Sequence, residues 1–175
     1  TRVVFGKDTH LKIATLLKEQ HCKKVLIHYC GHSAIKSGLI DEIRSVLDEA
    51  GIAYVTLGGV VPNPRLSKVR EGIELCRREN VDFLLAVGGG SVIDSCKAIG
   101  YGLANPETDV WNFFLRTETP KACLPVGVIL TIAASGSEMS NSCVITNEDG
   151  WLKRSTARND MCRPRFANLK PRLTY

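Results

Sequence analysis

Short apolar runs and longer stretches of helical period take turns along most of the chain. Residues 3–5 (Val-Val-Phe) open it as a brief extended run, and Asp8 is the candidate cap of a helix reaching Gln20. Residues 25–29 (Val-Leu-Ile-His-Tyr) are rich in β-forming residues, after which Leu39, Ile40, Ile43, Val46, Leu47 and Ala50 recur with a period near 3.6 and predict a helix over 35–50. Gly51 is its natural stop. A third strand is predicted over 54–57, a turn at Pro62-Asn63-Pro64, and a helix whose buried stripe is Leu66, Val69, Ile73 and Cys76. Residues 83–87 (Phe-Leu-Leu-Ala-Val) are apolar throughout, as befits a strand covered on both faces, and a helix begins near Ser91. One more buried strand is predicted over 125–130, and residues 143–146 read as a strand entering a hairpin turn at Asn147-Glu148-Asp149-Gly150. The remaining tail is less regular.

This alternation predicts an α/β domain built on a doubly wound, mostly parallel sheet, with ligands beyond the carboxyl ends of the strands. With 175 residues, 44% of them hydrophobic, one domain over 1–175 with a sizeable core is expected. The net charge of +5 is spread among acids, which argues against nucleic acid as a partner. No apolar run reaches the roughly 20 residues of a membrane span, and the first residues lack a signal pattern. The seven cysteines form no C-x-x-C pair and several lie in apolar segments, so a cytoplasmic protein with reduced thiols is expected.

The segment Gly88-Gly89-Gly90-Ser91-Val92-Ile93-Asp94 directly follows a predicted buried strand and opens a helix. Glycines there let a diphosphate approach the backbone, the helix N-terminus favours its charge, and Ser91 adds a hydroxyl donor. It is neither a Walker loop nor the usual G-x-G-x-x-G, and three glycines alone also fit a turn that binds nothing. A second cluster, running from Thr131 to Glu138, follows the next buried strand, so both loops should open on one sheet edge. The hydroxyls of Thr131 and Ser135 suit the ribose and carboxamide of a nicotinamide, although such a loop is often only a loop.

In order along the chain, Val4-Phe5-Gly6, Tyr29-Cys30-Gly31-His32-Ser33 with Lys36 and Gly38, Pro62-Asn63-Pro64, the Gly88 to Asp94 loop with Lys97-Ala98, Thr131 through Glu138, and Pro164-x-Phe166-Ala167 together resemble the iron-containing alcohol dehydrogenases, in particular their butanol-dehydrogenase branch. The resemblance implies the dehydroquinate-synthase-like nucleotide-binding domain of a homodimeric enzyme. In such an enzyme, hydride passes between NAD or NADP and a small alcohol or aldehyde, and a helical domain holds iron or zinc. It places the diphosphate on Gly89, Gly90 and Ser91, with Asp94 supporting the loop. It also places Asn63 near the adenine-side ribose, Thr131 and Ser135 at the nicotinamide half, and Lys153, next to Arg154, on the nicotinamide ribose. Ser135 stands where threonine is usual, His32 where glycine is common, and Lys170 where an aspartate often precedes proline.

The family's metal ligands, an aspartate and three histidines, are expected beyond Tyr175. All four histidines here (His10, His21, His28, His32) precede the glycine loop, and His28 and His32 lie on a strand and its following turn, where a four-residue spacing does not bring them together. Surface or packing roles are expected for them, no metal site is assigned, and these 175 residues alone are expected to bind cofactor without turnover. The turn after Tyr29 carries no carboxylate, and Gly31, Ser33 and Lys36 leave room and donors for a 2′-phosphate, which favours NADP over NAD. Alternatives are a glycerol or polyol dehydrogenase, a dehydroquinate-synthase-type enzyme, or a non-catalytic nucleotide-binding fragment.

Overall fold

The computed structural model describes residues 1–5, 9–31, 38–131 and 136–169. Its strands are β1 (Arg2–Phe5), β2 (Lys24–Cys30), β3 (Ala53–Val60), β4 (Phe83–Gly88), β5 (Val126–Leu130), β6 (Val144–Asn147), β7 (Leu152–Ser155) and β8 (Phe166–Leu169). Its helices are α1 (Ile13–Glu19), α2 (Leu39–Ala50), α3 (Leu66–Glu79), α4 (Gly90–Ala104) and the short α5 (Trp111–Leu115). Among the described residues, a six-stranded sheet runs β1-β8-β5-β4-β2-β3, while β6 and β7 form a separate antiparallel hairpin. Every pairing in the large sheet is parallel.

Both faces of the sheet are covered, and the pleat divides the apolar run of β4 between them. Phe83, Leu85 and Val87 pack with Ile13, Leu17, Ile43 and Leu47 from α1 and α2, while Leu84 and Ala86 pack with Val69 and Ile73 of α3 and Ile93 and Ile99 of α4. At about 25 cal/mol per Å² of apolar surface removed from water, these two layers supply the main drive to fold. Helices α3 and α4 approach closely because Gly72 and Gly102 lie at their contact. A Cβ on Gly72 would come within 2.5 Å of Ile99 Cδ1, and one on Gly102 within 2.2 Å of Ile73 Cδ1.

The winding reverses once, and that reversal locates the site. From β2 the chain moves outward to β3, then returns past β2 to β4 and continues through β5. Loops following β2 and β4 therefore diverge, leaving a crevice beyond their carboxyl ends.

The predicted strands and main helices are present, with shifted ends. The first helical segment starts as a 3-10 turn over Thr9–Lys12 before α1, and Asp8 lies outside the described residues. Helix α2 is described from Leu39, and Gly51 ends it with a left-handed φ of +71°, its N–H bonded to the Leu47 and Asp48 carbonyls. Two elements were not predicted from the hydrophobic pattern. Helix α5 lies in the connection to β5, and β8, in the tail read as irregular, sits inside the sheet between β5 and β1.

Candidate dinucleotide site

Strand β4 delivers the glycine loop to the crevice. Gly88 ends the strand with φ +153° and its carbonyl accepts from Thr131 N at 3.0 Å, so the loops after β4 and β5 leave the sheet side by side. Gly89 is extended, and Gly90 and Ser91 open α4 with no side-chain cap and no acidic residue in the first turn. The first N–H groups of a helix have no partner inside it and carry the positive end of its dipole, so this turn is suited to an anion.

A cleft of about 340 Å³ opens over that turn, lined by Asn63, Pro64, Gly90, Ser91, Asp94, Val144 and Lys153. Asn63, in the turn after β3, has a left-handed φ of +56°, a conformation that asparagine tolerates. Hairpin β6–β7 closes the opposite side. Strand β6 is fixed by Thr146 N donating to Pro64 O at 2.8 Å, and the hairpin tip by Glu148, which accepts from both Ser67 N (3.1 Å) and the Ser67 hydroxyl. So held, the hairpin brings Lys153 Nζ to 3.0 Å from Asn63 Oδ1.

Asp94 forms the inner wall. Its carboxylate accepts from Ser137 Oγ at 2.5 Å and from Val144 N at 3.3 Å, tying the first turn of α4 to the segment that leads into β6. Burial raises its pKa, opposed by the Ser137 bond and by the Lys97 charge. Lys97, one turn deeper, is fully buried and donates to the carbonyls of Ser137 (2.7 Å), Ser140 (2.9 Å) and Ser142 (3.1 Å). Burial lowers its pKa.

Of the residues expected at the site, the structure gathers Asn63, Gly90, Ser91, Asp94 and Lys153 in one cleft, with Gly89 preceding Gly90 at the start of α4. The two side chains that the resemblance assigns to different riboses, Asn63 and Lys153, are hydrogen-bonded to each other. Thr131 stands beside Gly88, and Gly31 follows β2 with nothing within 4 Å of where its Cβ would lie. Ser33, Lys36, Ser135, His32 and Lys170 lie outside the described residues. Pro64 and Val144 also line the cleft, and Lys97 and Glu148 support it from behind, without a site motif of their own in the sequence. Lys97 leaves the clearest trace there, as a lysine between Cys96 and the apolar residues Ala98 and Ile99.

His28 packs in the interior. It is fully buried, with Nδ1 2.8 Å from Leu57 O and Nε2 2.8 Å from Ser95 Oγ, so neither ring nitrogen is open to a metal. Among the described residues no three His, Cys, Asp or Glu side chains are grouped to hold one. No described helix is long and apolar enough to cross a membrane. A hollow of about 430 Å³ lies near Gly102, toward the other end of α4. It lacks a glycine loop, and its arginines are already engaged, Arg70 with Asp109 at 3.0 Å and Arg77 with Gly102 O at 2.9 Å.

Comparison with known proteins identifies relatives of this sequence and fold. The chain is 44% identical to a probable NADH-dependent butanol dehydrogenase of Bacillus subtilis and 40% identical to NADH-dependent butanol dehydrogenase A of Clostridium acetobutylicum, covering all of this chain and 44% of each relative. It is 37% identical to the NADPH-dependent aldehyde reductase YqhD of Escherichia coli, with the same coverage. The crystal structure of NADH-dependent butanol dehydrogenase A from Thermotoga maritima superposes with a TM-score of 0.94 at 39% identity, over 99% of this chain and 43% of that one. The chain thus spans less than half the length of these relatives. The iron-containing alcohol dehydrogenase pattern matches residues 1–171, and with it the glycine loop, the cleft above it and the sheet that carries them, so the chain belongs to that family.

Proposed function

We propose that this chain is the dinucleotide-binding part of a metal-dependent alcohol dehydrogenase or aldehyde reductase, with its diphosphate seated on Gly89, Gly90 and Ser91 at the start of α4. The observation that carries this reading is the cleft itself. It sits at the reversal of strand order, has the uncapped N-terminus of a 15-residue helix as its floor, and has Lys153 as a cation on its wall. A nicotinamide bound here would supply hydride chemistry at a substrate carbon, and the metal that the family's description implies would supply polarisation of the substrate oxygen.

The residues of this chain contribute binding and orientation. Backbone N–H groups of the α4 turn hold the diphosphate, and Lys153 turns from Asn63 toward an adjacent oxygen, with Asn63 next to it. Because those two side chains touch, both serve the same stretch of the dinucleotide, instead of opposite riboses. Thr131 extends the site toward the nicotinamide, the half to which the resemblance also assigns Ser135, outside the described residues. Asp94 does not meet the anion directly; its carboxylate is occupied by Ser137 and Val144, so it fixes the loop. The described side chains do not form a metal site. We assign the iron or zinc to the part of the relatives' length that these 175 residues do not span, together with most of the alcohol or aldehyde pocket. Among the cofactors we favour NADP, because Gly31 leaves open space where a carboxylate would exclude a 2′-phosphate. A cytoplasmic location fits the free thiols of Cys22, Cys76, Cys96, Cys123, Cys143 and Cys162.

The test is Gly90→Val, which places branched side-chain atoms on the helix turn that must approach the diphosphate. Calorimetry with NADPH and NADH should show affinity lowered at least about tenfold, a loss of about 1.4 kcal/mol or more, in a variant with unchanged far-UV circular dichroism. Unchanged affinity in the folded variant refutes this placement.

A further inference from the structure

A lysine with no exposed surface requires an explanation, because burying an ammonium is costly unless its donors are met. Lys97 meets all three with backbone carbonyls of one short turn, those of Ser137, Ser140 and Ser142, at 2.7, 2.9 and 3.1 Å, and the Ser137 hydroxyl lies 3.4 Å away. Three carbonyl oxygens converging from a six-residue segment form the kind of oxygen cage that holds a bound cation. The turn's own donors to these oxygens are long by comparison, Ser140 N to Ser137 O at 3.3 Å and the Ser140 hydroxyl to Ser142 O at 3.4 Å, so the ammonium makes the shorter bonds. Cys123, Cys143 and Cys162 lie near, and burial raises each thiol's pKa, which leaves Asp94 as the neighbouring anion.

The caged turn leads directly to the cleft. Ser137, whose carbonyl Lys97 holds, donates its hydroxyl to Asp94, and Asp94 in turn accepts from Val144 N, with Asp94 and Val144 both lining the cleft. We propose that Lys97 is a positioning residue whose ammonium serves as a built-in cation, folding the 137–142 turn around itself and thereby fixing the Asp94–Val144 wall of the dinucleotide cleft. The cleft as a dinucleotide site is the reading proposed above, on which this inference rests. The cage itself does not depend on that reading.

Two variants test it. Lys97→Met keeps most of the packing volume without the charge, and Lys97→Ala removes the atoms that propylammonium restores. With Lys97→Met folded by circular dichroism, amide exchange over 137–145 should accelerate at least about tenfold and NADPH affinity should fall at least about tenfold. In Lys97→Ala, propylammonium chloride should recover both, and tetramethylammonium chloride, which has no N–H donor, should recover neither. Parent-like exchange and affinity within about two-fold in Lys97→Met would overturn the proposal, as would equal rescue by the two salts. Should neither variant fold alone, refolding of Lys97→Ala from urea decides the matter: recovery only with propylammonium supports the cage, and none overturns it. If the parent chain binds no dinucleotide, the site reading fails by itself, and the exchange measurement still judges Lys97.

Discussion

Protonation of His28 should weaken the fold by an amount that the structure allows to be worked out. A carbonyl can only accept, so the 2.8 Å contact with Leu57 O requires the proton on Nδ1, which leaves Nε2 to accept from the Ser95 hydroxyl. The imidazole is thus satisfied in its neutral form. Burial lowers its pKa from 6.5 to about 4; the Leu57 bond opposes the fall, Lys68 adds to it and Glu71 resists it. Between those two values the unfolded chain binds the proton and the folded chain does not, so stability rises with pH across the window and is lost as pH falls through it. At about 1.4 kcal/mol per pH unit the whole window is worth about 3 kcal/mol, and the share lost between about pH 8 and about pH 5 is about 2 kcal/mol. That is a substantial fraction of the 5–15 kcal/mol typical of a domain.

Urea unfolding followed by the fluorescence of Trp111 and Trp151 gives the measurement, made at both pH values on the parent and on His28→Gln. Glutamine is uncharged at either pH and retains hydrogen-bonding capacity. The variant should therefore lose about 2 kcal/mol less than the parent on acidification, even if it is less stable at both pH values. This double difference cancels the carboxylates and the other histidines. Equal losses in the two proteins would refute the claim that His28 is held neutral by the fold.

Two further outcomes are expected. Gly31→Asp should fold normally, since nothing lies within 4 Å of the new Cβ, and it should shift the ratio of NADPH to NADH affinity toward NADH at least about tenfold; an unchanged ratio by fluorescence titration excludes this turn from cofactor choice. Gly127→Ala should destabilise by about 1–3 kcal/mol, because its methyl would lie 2.3 Å from Phe166 Cζ on a ring stacked against Phe83, and a thermal midpoint within a degree or so of the parent would refute that packing.

The sequence revealed the sheet where strands are fully buried and the site where backbone chemistry makes it. Residues 83–87 are apolar without interruption because both faces of β4 are covered, and the Gly88 to Ser91 loop is readable because close approach to a helix N-terminus needs residues without bulk. Strand β8 escaped for a physical reason. Phe166, Ala167, Asn168 and Leu169 include a polar residue and too few positions to establish a period, and the strand's place between β5 and β1 comes from long-range pairing, Gly127 with Phe166 and Val4 with Asn168, that no local pattern encodes.

The same limit hid which residues meet across the cleft, even where the residues themselves were expected at the site. Lys153 reaches Asn63 across 90 positions, and Glu148 reaches Ser67 across 81, because the β6–β7 hairpin folds back onto the start of α3. A hydrophobic pattern can predict the hairpin and not where it docks. Lys97 lies between the two cases. Its charge among Cys96, Ala98 and Ile99 breaks the apolar run visibly, and such a break in a helix covered by core admits two explanations, a misjudged face or a partner brought from elsewhere. The Ser137–Ser142 turn supplies the second, through carbonyls, which leave no mark on residue identity. Side-chain partners can be guessed from a sequence by their types, whereas a cage built of main-chain oxygens becomes visible only when the backbone is in place.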